Sequence, residues 1–131
     1  VQFATSGRRD ATLPVPHLET ASHEYRRLLA AADVAVAFSR FREGWNRTAH
    51  EALLSGTPVV GLDRGGQGER LRGAGQLLVA GAEELPEAVR AALARRDELA
   101  ARGRAFARTF TRGRFRDGWL RVVHEELARR G

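Results

Sequence analysis

Three short apolar runs, Val34–Phe38 (VAVAF), Pro58–Leu62 (PVVGL) and Gln76–Ala80 (QLLVA), set the limits on what this chain can fold into. Each is too short for an ordinary helix, and each is apolar at successive positions rather than at alternate ones. Strands buried on both faces carry that pattern, and they belong to parallel sheets with helices packed on either side. Parallel neighbours also need a long crossover between them, and the intervening segments have helical spacing. The expectation is an α/β domain with a mostly parallel sheet flanked by helices.

Local signals place the other elements. Val1–Thr5 has strand character and Ser6–Ala11 reads as a polar turn. Thr12–Leu18 contains Pro14 and Pro16, which restrict it to an edge strand or an extended connector. Ser22 is positioned to cap a helix to about Ala32, with Tyr25, Leu28, Leu29 and Ala32 on one buried face. The loop Ser39–Asn46 leads into a helix ending near Ser55, with Ala49, Ala52 and Leu53 as its core stripe. Gly56 is suited to stop that helix. Asp63–Gly68 reads as a turn, with one helical turn at Glu69–Arg72. Pro86 opens a helix to about Ala94. Asp97–Phe110 forms another, with Leu99 and Phe106 inward. Thr111 caps a last helix carrying Phe115, Trp119, Val122, Val123 and Leu127, in which Trp119 is expected as a packing anchor.

At 131 residues the chain is expected to form one domain, 1–131. It starts at Val1, without a methionine and already in a strand, so a piece of something longer is expected. No run reaches the roughly 20 apolar residues of a membrane span. With no cysteine and only four scattered histidines, no metal site and no disulfide are expected, and a cytoplasmic setting is favoured. The net charge of +6 comes from 22 basic residues that are all arginine. They are interleaved with acids along the helices, as on solvated faces, and no aromatic-plus-basic ladder accompanies them. Nucleic acid is therefore not the expected partner, whereas an anionic ligand suits the charge.

The loop after Val34–Phe38 is the candidate site. In open α/β sheets, ligands bind beyond the carboxyl ends of strands. Ser39–Asn46 lies at such an end and runs into a helix N-terminus, where free N–H groups attract phosphate oxygens. Arg47 and Thr48 add a cation and a hydroxyl. Glu43 and Glu51, with seven residues between them, offer acceptors for sugar diols. A purely structural reading also fits: Thr48 to Glu51 matches a capping box, Arg47 and Glu51 an i, i+4 ion pair, Trp45 a core anchor and Gly44 a turn glycine with positive φ. Spacing alone leaves both open. His50 is expected to pack rather than catalyse.

Glu43-Gly-Trp-Asn-Arg-Thr-Ala-His-Glu51 resembles the E-x7-E motif of retaining glycosyltransferases of the two-Rossmann-domain (GT-B) class, and is most similar to family 4. Glu51 through Gly61 is similar to that family's EAMASGTPVV segment, and Asp63-Arg-Gly-Gly-Gln-Gly-Glu69 to its GG-x-x-E turn. Tyr25 through Ser39 resembles its strand lead-in, with Phe38 in place of the usual proline. The resemblance implies a Rossmann-like, C-terminal donor-binding domain that binds a nucleoside-diphosphate sugar. Its first strand–helix unit and its N-terminal, acceptor-binding partner domain are expected to be missing, and any peripheral membrane contact would run through that domain.

By the same resemblance, Glu43 would meet the transferred sugar as the catalytic-site carboxylate. Gly44, Trp45, Asn46, Arg47 and Thr48 would approach the sugar and diphosphate, and Glu51 would bind the ribose. Neither metal nor cofactor is implied. Besides Phe38, three departures from the family pattern matter: Trp45 replaces Phe, Asn46 replaces Gly, and the upstream Arg/Lys pair that holds the diphosphate is absent. Arg8 or Arg9 could stand in for the Arg of that pair as a phosphate-binding residue, and the chain has no Lys. The alternative function is a catalytically silent α/β interaction module, and the family's last helix can cross to the partner domain, which would leave an apolar face bare.

Overall fold

The computed structural model describes residues 2–6, 12, 14–39 and 41–130. Arg8 and Arg9 lie outside the described residues, as does most of the turn expected at Ser6–Ala11. The element order is β1 (Thr5–Ser6), β2 (His17–Leu18), α1 (Ser22–Ala31), β3 (Ala35–Ala37), α2 (Arg47–Ser55), β4 (Val59–Leu62), α3 (Gly65–Gly73) and β5 (Leu77–Val79). A 3-10 turn (Ala82–Glu84) then precedes α4 (Leu85–Ala94), α5 (Arg96–Arg108) and α6 (Arg112–Arg130). Strands β3, β4 and β5 form a parallel sheet in that order, with Val36 paired to Val60 and Val60 to Leu77. Strands β1 and β2 form a separate parallel pair. The fold is thus the expected α/β, Rossmann-like arrangement of mostly parallel strands flanked by helices.

Alternation along β4 builds the core. Val59 faces one cluster with Leu29, Ala49, Ala52, Leu53, Leu71 and Ala107, and Val60 and Leu62 face a second with Val79, Val89, Ala92 and Leu99. Side chains on a strand point alternately to its two faces, so both faces of β4 are sealed. The first apolar run departs from that expectation. In β3, Val36 is 40% exposed, and Phe38 just beyond it 43%. Helix α4 packs mainly on β4 and β5, so that face of β3 is left partly open.

Buried glutamines close gaps that the backbone cannot. Gln76 Oε1 accepts from Val59 N–H at 3.0 Å, while its Nε2 donates to Ala74 O at 3.0 Å and to Leu99 O at 2.9 Å. Buried polar groups are costly unless paired, and Gln76 pairs its own and its neighbours'. Gly56 ends α2 in the left-handed conformation, φ 80°. A Gly56→Ala substitution is expected to cost about 1 kcal/mol in equilibrium unfolding, because a Cβ is strained there. A neutral result would show that α2 can end otherwise.

Several boundaries differ from the sequence reading. The first strand is Thr5–Ser6 rather than Val1–Thr5. Ala21, not Ser22, is the N-cap of α1, and Ala21 N–H donates to Glu24 Oε2 at 3.2 Å. The turn and short helix expected at 63–72 are one helix, α3, that begins at the glycine pair itself. Thr111 does cap α6, accepting from Arg114 N–H at 3.2 Å. Trp119, however, is 58% exposed and Phe115 70%, so Trp119 is no anchor among the described residues. No residue of α6 is buried, and among the described residues no helix is long and apolar enough to cross a membrane.

Candidate functional site

Beyond the carboxyl end of β3 the chain opens a cleft of about 630 Å³ between Val36–Ser39 and Glu43–Thr48. Its floor is the start of α2. Asn46 caps that helix: its Oδ1 accepts from Ala49 N–H at 2.8 Å. A helix leaves its first N–H groups without intrahelical acceptors. Asn46 takes that of Ala49, and among the described residues those of Arg47 and Thr48 have no acceptor, which leaves them for a ligand. The Thr48-to-Glu51 capping box does not form, because Thr48 already lies inside the helix.

Asn46 does more than cap. Its Nδ2 donates to Glu43 Oε2 and, at 2.9 Å, to Gln67 Oε1. Gln67 is buried in α3; its Nε2 donates to Ala37 O at 2.7 Å, and its own N–H donates to Glu43 O at 3.1 Å. One side chain therefore joins the end of β3, the motif loop and α3. Two glycines allow the approach. A Cβ on Gly61 would come within 2.4 Å of Leu71 and 3.0 Å of Gln67, and one on Gly66 within 2.6 Å of Gly44 O. Gly44 does not have positive φ, and a Cβ there would meet only open space. The tight fit belongs to Gly66. Sequence reading missed Gln67, although its place after the glycine pair of a GG-x-x-E-like turn was a usable signal.

Glu51 sits one turn further along α2 and does not line the cleft; its Oε1 lies 3.3 Å from Arg47 Nε. Arg47 is 85% exposed in its side chain, so the pair is weak and either group can turn to a ligand. Thr48 Oγ1 accepts from Tyr25 O–H at 3.5 Å. The structure thus gathers Glu43, Gly44, Trp45, Asn46, Arg47 and Thr48 at one cleft, with Glu51 beside it.

Trp45 is neither buried nor free. Its ring packs against the Arg70 guanidinium carbon, 3.0 Å from the ring centroid, with Phe110 edge-on at 5.1 Å and His50 tilted at 5.1 Å. Arg70 Nη2 reaches His50 Nδ1 at 2.9 Å, which fixes that nitrogen as the acceptor and the imidazole as neutral. Burial, then the Arg70 charge, hold His50 below its ordinary pKa, with Glu51 opposing. An unfolded chain therefore takes up this proton first. The neutral ring contributes fully above the unfolded value of 6.5, and its contribution is lost as pH falls through the lower folded value. Between about pH 7.5 and about pH 5, the wild type is expected to lose more unfolding free energy than His50→Gln. Equal losses in the two proteins would contradict the assignment.

The family described as glycosyl transferases group 1 matches residues 12–95, which include the loop, α2, β4 and α3. A D-inositol 3-phosphate glycosyltransferase of Geodermatophilus obscurus is 40% identical over 119 residues, covering 88% of this chain and 24% of that protein. The chain spans about a quarter of the length of this curated relative. No solved structure gives a significant match. With more than half of its residues inside the family pattern, the chain belongs to the glycosyl transferases group 1 family.

Proposed function

We propose that the chain is the donor-binding domain of a retaining, family-4-like glycosyltransferase that uses a nucleoside-diphosphate sugar. The observation that carries this reading is the cleft at the end of β3, which opens on the first turn of α2 and is walled by the Glu43 loop. The helix N-terminus and Arg47 would take the charge of the diphosphate as it leaves, without a metal ion. Glu51 would turn from Arg47 to the ribose diol, and Glu43 would accept from hydroxyls of the transferred sugar. The bond from the anomeric carbon to the diphosphate would break, and the acceptor oxygen would bond on the same face, its proton passing to the departing diphosphate.

The acceptor would come from a preceding domain. The bare face of α6, with Phe115, Trp119 and Leu127, offers such a domain a place to pack. The relative named above acts on D-inositol 3-phosphate by its name; the acceptor of this chain is not assigned by that likeness.

Calorimetric titration of UDP, GDP, UDP-sugars and dTDP-sugars into the folded protein tests the reading. Binding of at least one nucleotide, with tighter binding of its sugar, is expected. No heat from any of them would favour the silent interaction module, in which Glu43 and Glu51 keep the internal partners they have here.

A further inference from the structure

The geometry points to Arg70 as a positioning residue of the donor site: through Trp45 it holds the Glu43 loop in the shape that recognises the transferred sugar. This rests on the donor-binding reading above and goes beyond the motif residues, since Arg70 lies on α3, outside the E-x7-E segment, and does not line the cleft.

The position is chemically expensive for a cation. Arg70 is partly buried, its Nη1 is enclosed without a hydrogen-bond partner, and no carboxylate lies within ion-pairing distance among the described residues. An aliphatic side chain would fill the space under Trp45 without that desolvation cost. What a guanidinium adds is a flat, charged plate with directional donors. Its Cζ lies 3.0 Å from the centroid of Trp45 and 4.7 Å from that of Phe110, while Nη2 donates to His50 Nδ1 at 2.9 Å. Trp45 is the third residue of the motif loop, next to Asn46, whose amide binds Glu43. Arg70 therefore pins the loop from outside as Gln67 pins it from within. The ribose side is separate, because Glu51 is carried by α2 and not by the loop that Trp45 anchors.

The clamp contains a titratable element. His50 faces Arg70 from α3, Glu51 on its own helix, and the rings of Trp45 and Phe110; Arg114 lies over Phe110, 5.0 Å from its centroid. A protonated His50 cannot accept from Arg70 and adds a second cation beside it, which loosens the clamp.

The test is calorimetry on the complete protein with a nucleoside diphosphate and the matching nucleotide sugar, for wild type, Arg70→Leu and Arg70→Lys, at about pH 7.5 and about pH 5.5. Arg70→Leu is expected to weaken the nucleotide sugar about tenfold and the bare nucleotide by less than about twofold. Arg70→Lys, which keeps the cation over the ring, is expected to recover part of that loss and decides the matter if the leucine variant does not fold. Lowering the pH is expected to weaken the nucleotide sugar, whose diphosphate does not titrate in this range, more in the wild type than in Arg70→Leu. Equal weakening of both ligands by Arg70→Leu, no change in either, or a pH response of nucleotide-sugar binding as large in Arg70→Leu as in the wild type would overturn the positioning role and leave the donor reading standing. A wild-type protein that binds neither ligand would overturn both.

Discussion

Glu51→Ala is expected to weaken nucleoside-diphosphate binding by about 10- to 100-fold, since hydrogen bonds to a charged acceptor contribute about 1.5–3 kcal/mol. A competing effect has the opposite sign. Removing the carboxylate frees Arg47, which now lies 3.3 Å from it, to meet the phosphates. That gain is small: Arg47 is 85% exposed, and exposed ion pairs contribute about 0–1 kcal/mol. The lost ribose contacts win. Glu51→Gln, which keeps one acceptor oxygen, should fall between wild type and alanine. Nucleotide affinity unchanged by Glu51→Ala would remove Glu51 from the donor site.

Gln67→Ala is expected to destabilise the protein by about 2–4 kcal/mol in denaturant unfolding, the largest stability effect we predict. The substitution leaves Ala37 O and one Asn46 amide hydrogen without the partners they have at 2.7 and 2.9 Å, and empties the space that Gly61 makes for the side chain. It also releases the Glu43 loop, so nucleotide-sugar binding should weaken as well. A loss below about 1 kcal/mol would mean that water replaces the glutamine, and that Gln67 does not organise the loop.

Much of this arrangement was legible in the sequence. Three apolar runs gave the parallel sheet, because a strand sealed on both faces has no other composition available. Gly56 and Thr111 ended and began their helices as capping chemistry dictates. Where the reading failed, the deciding contacts were tertiary. Val36 looks buried by composition, yet exposure of β3 depends on how far α4 extends. Trp119 looks like an anchor, yet no described element covers α6. An asparagine just before a helix is a natural cap, as Asn46 is, but its bridge to Glu43 and Gln67 joins residues that local spacing does not connect. The Arg70 clamp joins positions 45, 50, 70 and 110, and no periodicity marks such a set.

The central claim is that a nucleotide diphosphate sits on the first turn of α2. It is tested most directly by titrating UDP or GDP into the isotopically labelled protein and following the backbone amides by NMR. The account predicts that the largest shifts fall on Gly44 through Glu51, led by the free N–H groups of Arg47 and Thr48. Shifts centred elsewhere, on the bare face of α6 for example, or none at saturating nucleotide, would contradict it.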